Sequence, residues 1–142
     1  MPTPSEIGAI AELEVAAALH RAGMTVYLPM FAPQARIDLI AAGPTGLLRI
    51  QCKTSRLRDS VVTFRTCSNT ANRPADYRGQ IDHFGVWSPE LRRAFLVPVE
   101  VSGTRMCSLR LAPTRNHQRS GIRLAADYEI GAGGAGGPGP RE

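Results

Sequence analysis

The chain is almost without lysine. Of its 17 basic residues, 16 are arginine and one, Lys53, is lysine. Aromatic residues are sparse at 6%, and there are three histidines. Three cysteines, Cys52, Cys67 and Cys107, make an odd number with no CxxC spacing. That excludes a disulfide framework and fits reduced thiols. A zinc site built from Cys67, Cys107, His83 and His117 has no recognisable ligand spacing. Long apolar runs are missing too. The best candidate, residues 22–35, is broken by Pro29 and Pro33 and falls short of the roughly 18 residues a membrane span needs. The N-terminus lacks the basic start and apolar core of a signal peptide. Together these absences read as a soluble, cytoplasmic chain with no membrane partner. Its 142 residues suffice for one domain and are short for two.

Positive charge is in excess, with a formal net charge of +5 and a pI near 9.7. That excess points to a polyanionic partner. The arginine bias, with much alanine, glycine and proline, has the look of GC-rich coding. Lys53 therefore raises the question of what its position needs that arginine cannot supply.

The spacing predicts a helix from an N-cap at Ser5 to Ala22, with Gly23 just past its end. Ile7, Ile10, Ala11, Val15, Ala18, Leu19 and Ala22 form its apolar stripe. Gly8, Glu12 and Ala16 share a neighbouring face, where small residues would let the helix approach a sheet and aim Glu12 inward. Strands are expected at residues 25–30, 36–41, 47–54, 61–65, 83–87, 94–99 and 106–111. Residues 66–80 read as a loop, and residues 121–129 as a short helix. The domain spans residues 1–130. From Gly131 to Glu142 the chain is a Gly/Pro-rich tail that cannot bury enough surface to order itself.

Gly43-Pro44-Thr45-Gly46 places proline and glycine where a type I turn wants them, joining the second and third strands as a hairpin. Paired residue numbers then sum to 89. Asp38 faces Gln51, and Arg36 faces Lys53. Because strand side chains alternate, Gln51 and Lys53 share a face, and Asp38 joins them. A one-residue bulge would send Asp38 to the other face. A carboxylate, an amide and an amine gathered in this way suit metal-assisted phosphodiester hydrolysis. Mg²⁺ or Mn²⁺ takes oxygen ligands: Asp38, the Gln51 amide oxygen, the Cys52 backbone carbonyl, and Glu12 through water. Lysine, a compact cation, suits the orientation of an attacking water better than the wide arginine fork. Cys52 itself should point into the core.

These residues resemble the PD-(D/E)XK nuclease superfamily. The narrower resemblance is to its group I intron-associated (homing) endonuclease branch, with a PD-(D/Q)XK-type site. It runs through Ile7-Gly8-x-Ile10-Ala11-Glu12-Leu13, Arg49-Ile50-Gln51-Cys52-Lys53-Thr54 and Tyr77-Arg78-Gly79-Gln80-Ile81-Asp82. Leu96-Val97-Pro98-Val99 and Asn116-x-Gln118-x-x-Gly121-Ile122-Arg123 continue it. The resemblance implies an α/β, restriction-endonuclease-like core: an N-terminal helix packed on a mixed β-sheet, with a short C-terminal helix. It implies Mg²⁺-dependent cleavage of double-stranded DNA by a homodimer or homotetramer. Asp38 carries over as metal ligand, Lys53 as catalytic lysine, Gln51 as variant ligand and Glu12 as helix acid. Two departures stand out. Ile37 precedes Asp38 where proline is usual, and neutral Gln51 stands where most members have an acid.

Arg56 and Arg58 follow the third strand directly, and Arg115, Arg119 and Arg123 bracket Asn116 and Gln118. Cations interleaved with amides suit phosphate contacts and base-edge reading. Asp82 reads as a cap on the preceding turn, with His83 structural, and Tyr77 either packs or stacks on a base. The rival readings are a Holliday-junction-resolvase-like nuclease and a catalytically inactive DNA-binding module.

Overall fold

The structure, a computed structural model, describes residues 1–31, 36–70, 73–76, 79–112 and 122–131. The helix α1 spans Pro4–Arg21. Its N-cap is Thr3, not Ser5: the Thr3 hydroxyl accepts from the Glu6 N–H at 3.2 Å. Pro4 takes the first helical position, where its missing N–H costs nothing and its fixed φ suits a helix. At the other end Gly23 adopts φ +96°. There Gly23 N–H donates to His20 O and Met24 N–H to Leu19 O, closing the helix in the way a left-handed glycine allows.

Among the described residues the strands are β1 (Thr25–Tyr27), β2 (Leu39–Gly43), β3 (Gly46–Thr54), β4 (Arg56–Arg58) and β5 (Val61–Arg65). They continue as β6 (Cys67–Thr70), β7 (Arg73–Asp76), β8 (His83–Ser88), β9 (Arg93–Pro98) and β10 (Met106–Arg110). A five-stranded sheet has the order β1-β2-β3-β8-β9. It is mixed, since β3 and β8 run parallel while its other pairs are antiparallel. A second sheet has the order β10-β5-β4. The molecule is thus α/β, with α1 on one face of the main sheet and the small sheet over part of the other.

Each face has its own core. Ala11, Val15 and Leu19 of α1 pack with Leu39, Ala41, Ile50, Cys52 and Leu96. Behind the sheet, Phe84, Val86, Phe95 and Val97 meet Val62, Phe64, Cys107 and Leu109. Phe64 and Phe84 stack edge to face at 5.6 Å. The β8 strand is therefore buried on both sides, which its run of small and apolar residues permits.

Several expectations change. The stripe on α1 begins at Ala11, because Ile7 and Ile10 remain 39% and 43% exposed. Nothing lies within 4 Å of where a Gly8 Cβ would be, so Gly8 makes no close contact. The sheet supplies the small residue instead. A Cβ on Gly85 would sit 2.7 Å from Val15 Cγ1 and 3.0 Å from Ile50 Cγ2. Gly85 thus sets how near α1, and with it Glu12, lies to the sheet.

The first strand stops at Tyr27 and leaves Leu28, Met30 and Phe31 exposed. The second starts at Leu39, so Arg36 does not face Lys53. Within 66–80, read as loop, β6 and β7 pair as a hairpin. Polar Cys-Ser-Asn-Thr and a proline gave no alternation to reveal it. The short strand β4 was also unforeseen. At Ser55 the chain crosses from the main sheet into β4, and Ser55 N–H and Oγ both bond Trp87 O. The expected C-terminal helix is one 3₁₀ turn, Ala125–Asp127. Of the expected tail only Gly131 is described, and residues 132–142 lie outside the described residues.

Candidate active site

The β2–β3 hairpin has the register expected from its turn, Gly43 opposite Gly46 and Leu39 opposite Ile50. Neither Pro44 nor Thr45 has positive φ, and Gly46 does, at +122°. The ladder ends just beyond Leu39. Asp38 N–H still donates to Ile50 O at 2.8 Å, but its side chain then takes over. Asp38 Oδ2 accepts from Gln51 Nε2 at 2.9 Å and from Cys52 N–H at 2.8 Å. The carboxylate occupies the edge of β3 that β2 has vacated. In an antiparallel ladder a residue's N–H and C=O point to the same neighbour. The Cys52 carbonyl therefore opens on that same edge.

Alternation along β3 sorts the rest. Ile50 and Cys52 point into the helix-side core. Arg49, Gln51 and Lys53 point to the other face. Cys52 is buried as expected, and desolvation pushes its thiol far up, away from reactivity.

Glu12 reaches toward Asp38 from α1, near enough for the Asp38 charge to act on it. Burial raises the Glu12 carboxyl, and the Asp38 charge beside it adds to the rise. Burial also raises Asp38, against the Cys52 N–H and the Lys53 charge, which hold it down. The pair carries negative charge that a proton or a cation can relieve. Its donors are hard oxygens, which fits Mg²⁺ or Mn²⁺. Among the described residues there is no group of three or more His, Cys, Asp or Glu side chains that could hold a metal. Neutral Gln51 stands where a third acid would complete one. Its Nε2 donates to Asp38, so its Oε1 points away from that carboxylate.

On the same face, Arg49 clasps Asp82. Arg49 N–H and Nε donate to Asp82 Oδ2 at 2.8 and 3.1 Å, and Nη2 to Oδ1 at 3.1 Å. Its Nη1 also reaches Gly79 O at 3.3 Å. Asp82 is thus an ion-pair partner of Arg49. The clasp ties the segment before β8 to the start of β3. Sequence reading missed it, although Arg49 lies two residues before Gln51 on the same face. The Arg49 guanidinium holds the Asp82 carboxyl below its usual range. That stabilisation is present above the ordinary carboxylate range and is lost as pH falls through the lowered value. Asp82→Asn should flatten the acid limb of the stability–pH curve, read by thermal melts between about pH 5 and 2.

Arg56 and Arg58 alternate with Leu57 on β4 and are exposed, while Leu57 packs inward. Arg123 is half-buried, and its carbonyl accepts from Arg110 N–H. Tyr77, Arg115, Asn116, Gln118 and Arg119 lie outside the described residues. Among the described residues no helix is long and apolar enough to cross a membrane.

A family model for PD-(D/E)XK endonuclease matches residues 3–131. Among solved structures, the chain is similar to a bacterial homing endonuclease, I-Ssp6803I, with a TM-score of 0.67 and 20% identity. That likeness covers 91% of this chain and 88% of the other, and it concerns the fold. No curated protein matches.

Proposed function

The chain belongs to the PD-(D/E)XK endonuclease family, and we propose that it is a divalent-metal-dependent enzyme that hydrolyses phosphodiester bonds in duplex DNA. The observation that carries this reading is Asp38 fixed at the vacated edge of β3 by Gln51 and Cys52, with Glu12 near it. Asp38, the Gln51 amide oxygen and the Cys52 carbonyl would hold Mg²⁺ or Mn²⁺, with Glu12 acting through water. The bound ion would supply Lewis-acid stabilisation of the charge that builds on the phosphoryl oxygens. Lys53 places a compact positive charge on the same face. It orients the attacking water and neutralises phosphate. Gln51 must turn its amide over to offer oxygen, which gives up its bond to Asp38. The test is incubation of plasmid DNA with Mg²⁺ or Mn²⁺. Nicking or linearisation is expected, and none by folded, DNA-bound protein would overturn the reading.

The homing type is supported by the fold's similarity to the bacterial homing endonuclease. One chain carries one such site, whereas cutting both strands takes two. We therefore propose a homodimer or homotetramer. Exposed Leu28, Met30 and Phe31, beside the edge strand β1, offer apolar surface for that assembly. Arg56, Arg58, Arg115, Arg119 and Arg123, with Asn116 and Gln118, would meet DNA. About six phosphate contacts predict that log affinity falls with log salt at a slope near −5. A slope near zero in a salt titration would exclude that interface.

Gln51 favours a second reading, a catalytically inactive DNA-binding module. The variant Gln51→Glu separates the two. A third carboxylate should tighten divalent binding about tenfold or more and shift the Mg²⁺/Mn²⁺ preference of cleavage. Unchanged metal dependence would show that residue 51 is not a ligand.

A further inference from the structure

A pocket lies on the other flank of α1. Glu14, Ala18 and Arg21 recur at helical spacing along one stripe of the helix, about 200° around the axis from Glu12. They wall a cavity of about 520 Å³ with Trp87, Arg92, Arg93, Glu129 and Ile130 among its other residues. That volume suits a small ligand rather than a single ion.

Its charges are not all spoken for. Arg93 is committed to Glu129, with Nε donating to Oε2 at 2.9 Å and Nη2 to Oε1. Arg21 and Arg92 make no ion pair among the described residues. Arg92 is also strained. It sits in the β8–β9 turn at φ +56°, where glycine or asparagine fits without cost and arginine does not. Arg92 N–H donates to Ser88 O at 2.8 Å, so this residue closes the turn that borders the cavity.

We propose that this pocket binds a nucleotide, with its phosphate held between Arg21 and Arg92. Glu14 would repel a bare anion but can accept a hydrogen bond from a sugar hydroxyl. The site therefore favours a nucleotide over inorganic phosphate. The phosphate can come from a DNA end or from a free nucleotide. The proposal goes beyond the nuclease reading and uses none of its residues.

Trp87, the only tryptophan in the chain, lines the cavity and reports on it. Its emission in the full chain should change saturably with thymidine 5′-monophosphate, and about tenfold more weakly with inorganic phosphate at matched ionic strength. Arg21→Ala and Arg92→Gly should each weaken the monophosphate about tenfold or more. Arg92→Gly should keep or raise the melting temperature, which separates lost binding from lost folding. Short duplexes with and without a 5′-phosphate assign the source: preference for the phosphorylated end marks DNA, and no preference marks the free nucleotide. An emission change reproduced by sodium chloride, or binding unaltered in both variants, would overturn the proposal. Because Asp38→Ala leaves this pocket intact, its failure and that of the nuclease reading are distinguishable.

Discussion

Asp38→Asn is expected to abolish cleavage while making the metal-free protein more stable. The asparagine oxygen can still accept from Gln51 Nε2 and Cys52 N–H, the bonds that Asp38 Oδ2 accepts now. The substitution also removes the charge that acts on Glu12. Both carboxyls lie above their ordinary values in the folded protein, chiefly through burial. Protonation therefore favours folding. This contribution is full below the unfolded values and is lost as pH rises through the folded ones. The wild type should thus lose stability above the ordinary carboxylate range, and Asp38→Asn should lose less. At pH 7 its melting temperature should rise by about 2–5 °C without metal. Cleavage should fall about 10³-fold or more, because the proposed metal ligand and its charge are gone. Added Mg²⁺ should raise the melting temperature of the wild type and not of the variant. A variant that still cuts, or that melts earlier than wild type without metal, would contradict this account. Lys53→Arg belongs to the same experiment. The fork keeps the charge but cannot occupy the place of an ammonium, so about 10²-fold loss is expected with duplex binding retained. Normal cutting by that variant would reduce the solitary lysine to codon bias.

Gly85→Ala is expected to cost about 2 kcal/mol of stability, typical of a methyl forced into a filled core. The new Cβ would meet Val15 Cγ1 at 2.7 Å and Ile50 Cγ2 at 3.0 Å. Both neighbours are themselves fully buried, so neither can swing into solvent. Relief requires α1 to lift from the sheet. Glu12 lies one turn before Val15 and would move with it, away from Asp38. Cleavage should fall more than the lost stability alone accounts for, measured at a temperature where the variant is folded. Val15→Ala in the same chain makes room for the methyl. The double variant should recover much of the activity and be more stable than the sum of the single effects. Additive effects in that cycle would show that the contact does not govern the placement of Glu12.

The legible features were local ones. The two-residue turn at Pro44-Thr45 set the register of β2 on β3, and a period of two then placed Gln51 and Lys53 on one face with Cys52 on the other. The exit of α1 was legible because Gly23 marks where the backbone must turn left-handed. Its entry was misread by two residues, since Thr3, Pro4 and Ser5 all favour a helix start. Elements without a periodic apolar pattern were missed: β4 has three residues, and the β6–β7 hairpin is polar.

The sequence by itself determined which chemical groups share the edge of β3, because a strand's alternation and a tight turn act over neighbouring residues. It also determined that lysine stands at only one place, Lys53. Tertiary structure alone decided that Asp38 caps the β3 edge with its side chain, that Glu12 comes near it, and that Arg49 holds Asp82. It alone moved the close approach of helix and sheet from Gly8 to Gly85. Those outcomes depend on how far β2 runs before diverging and on how two layers settle at contact distance. No periodicity within one segment encodes the separation between segments.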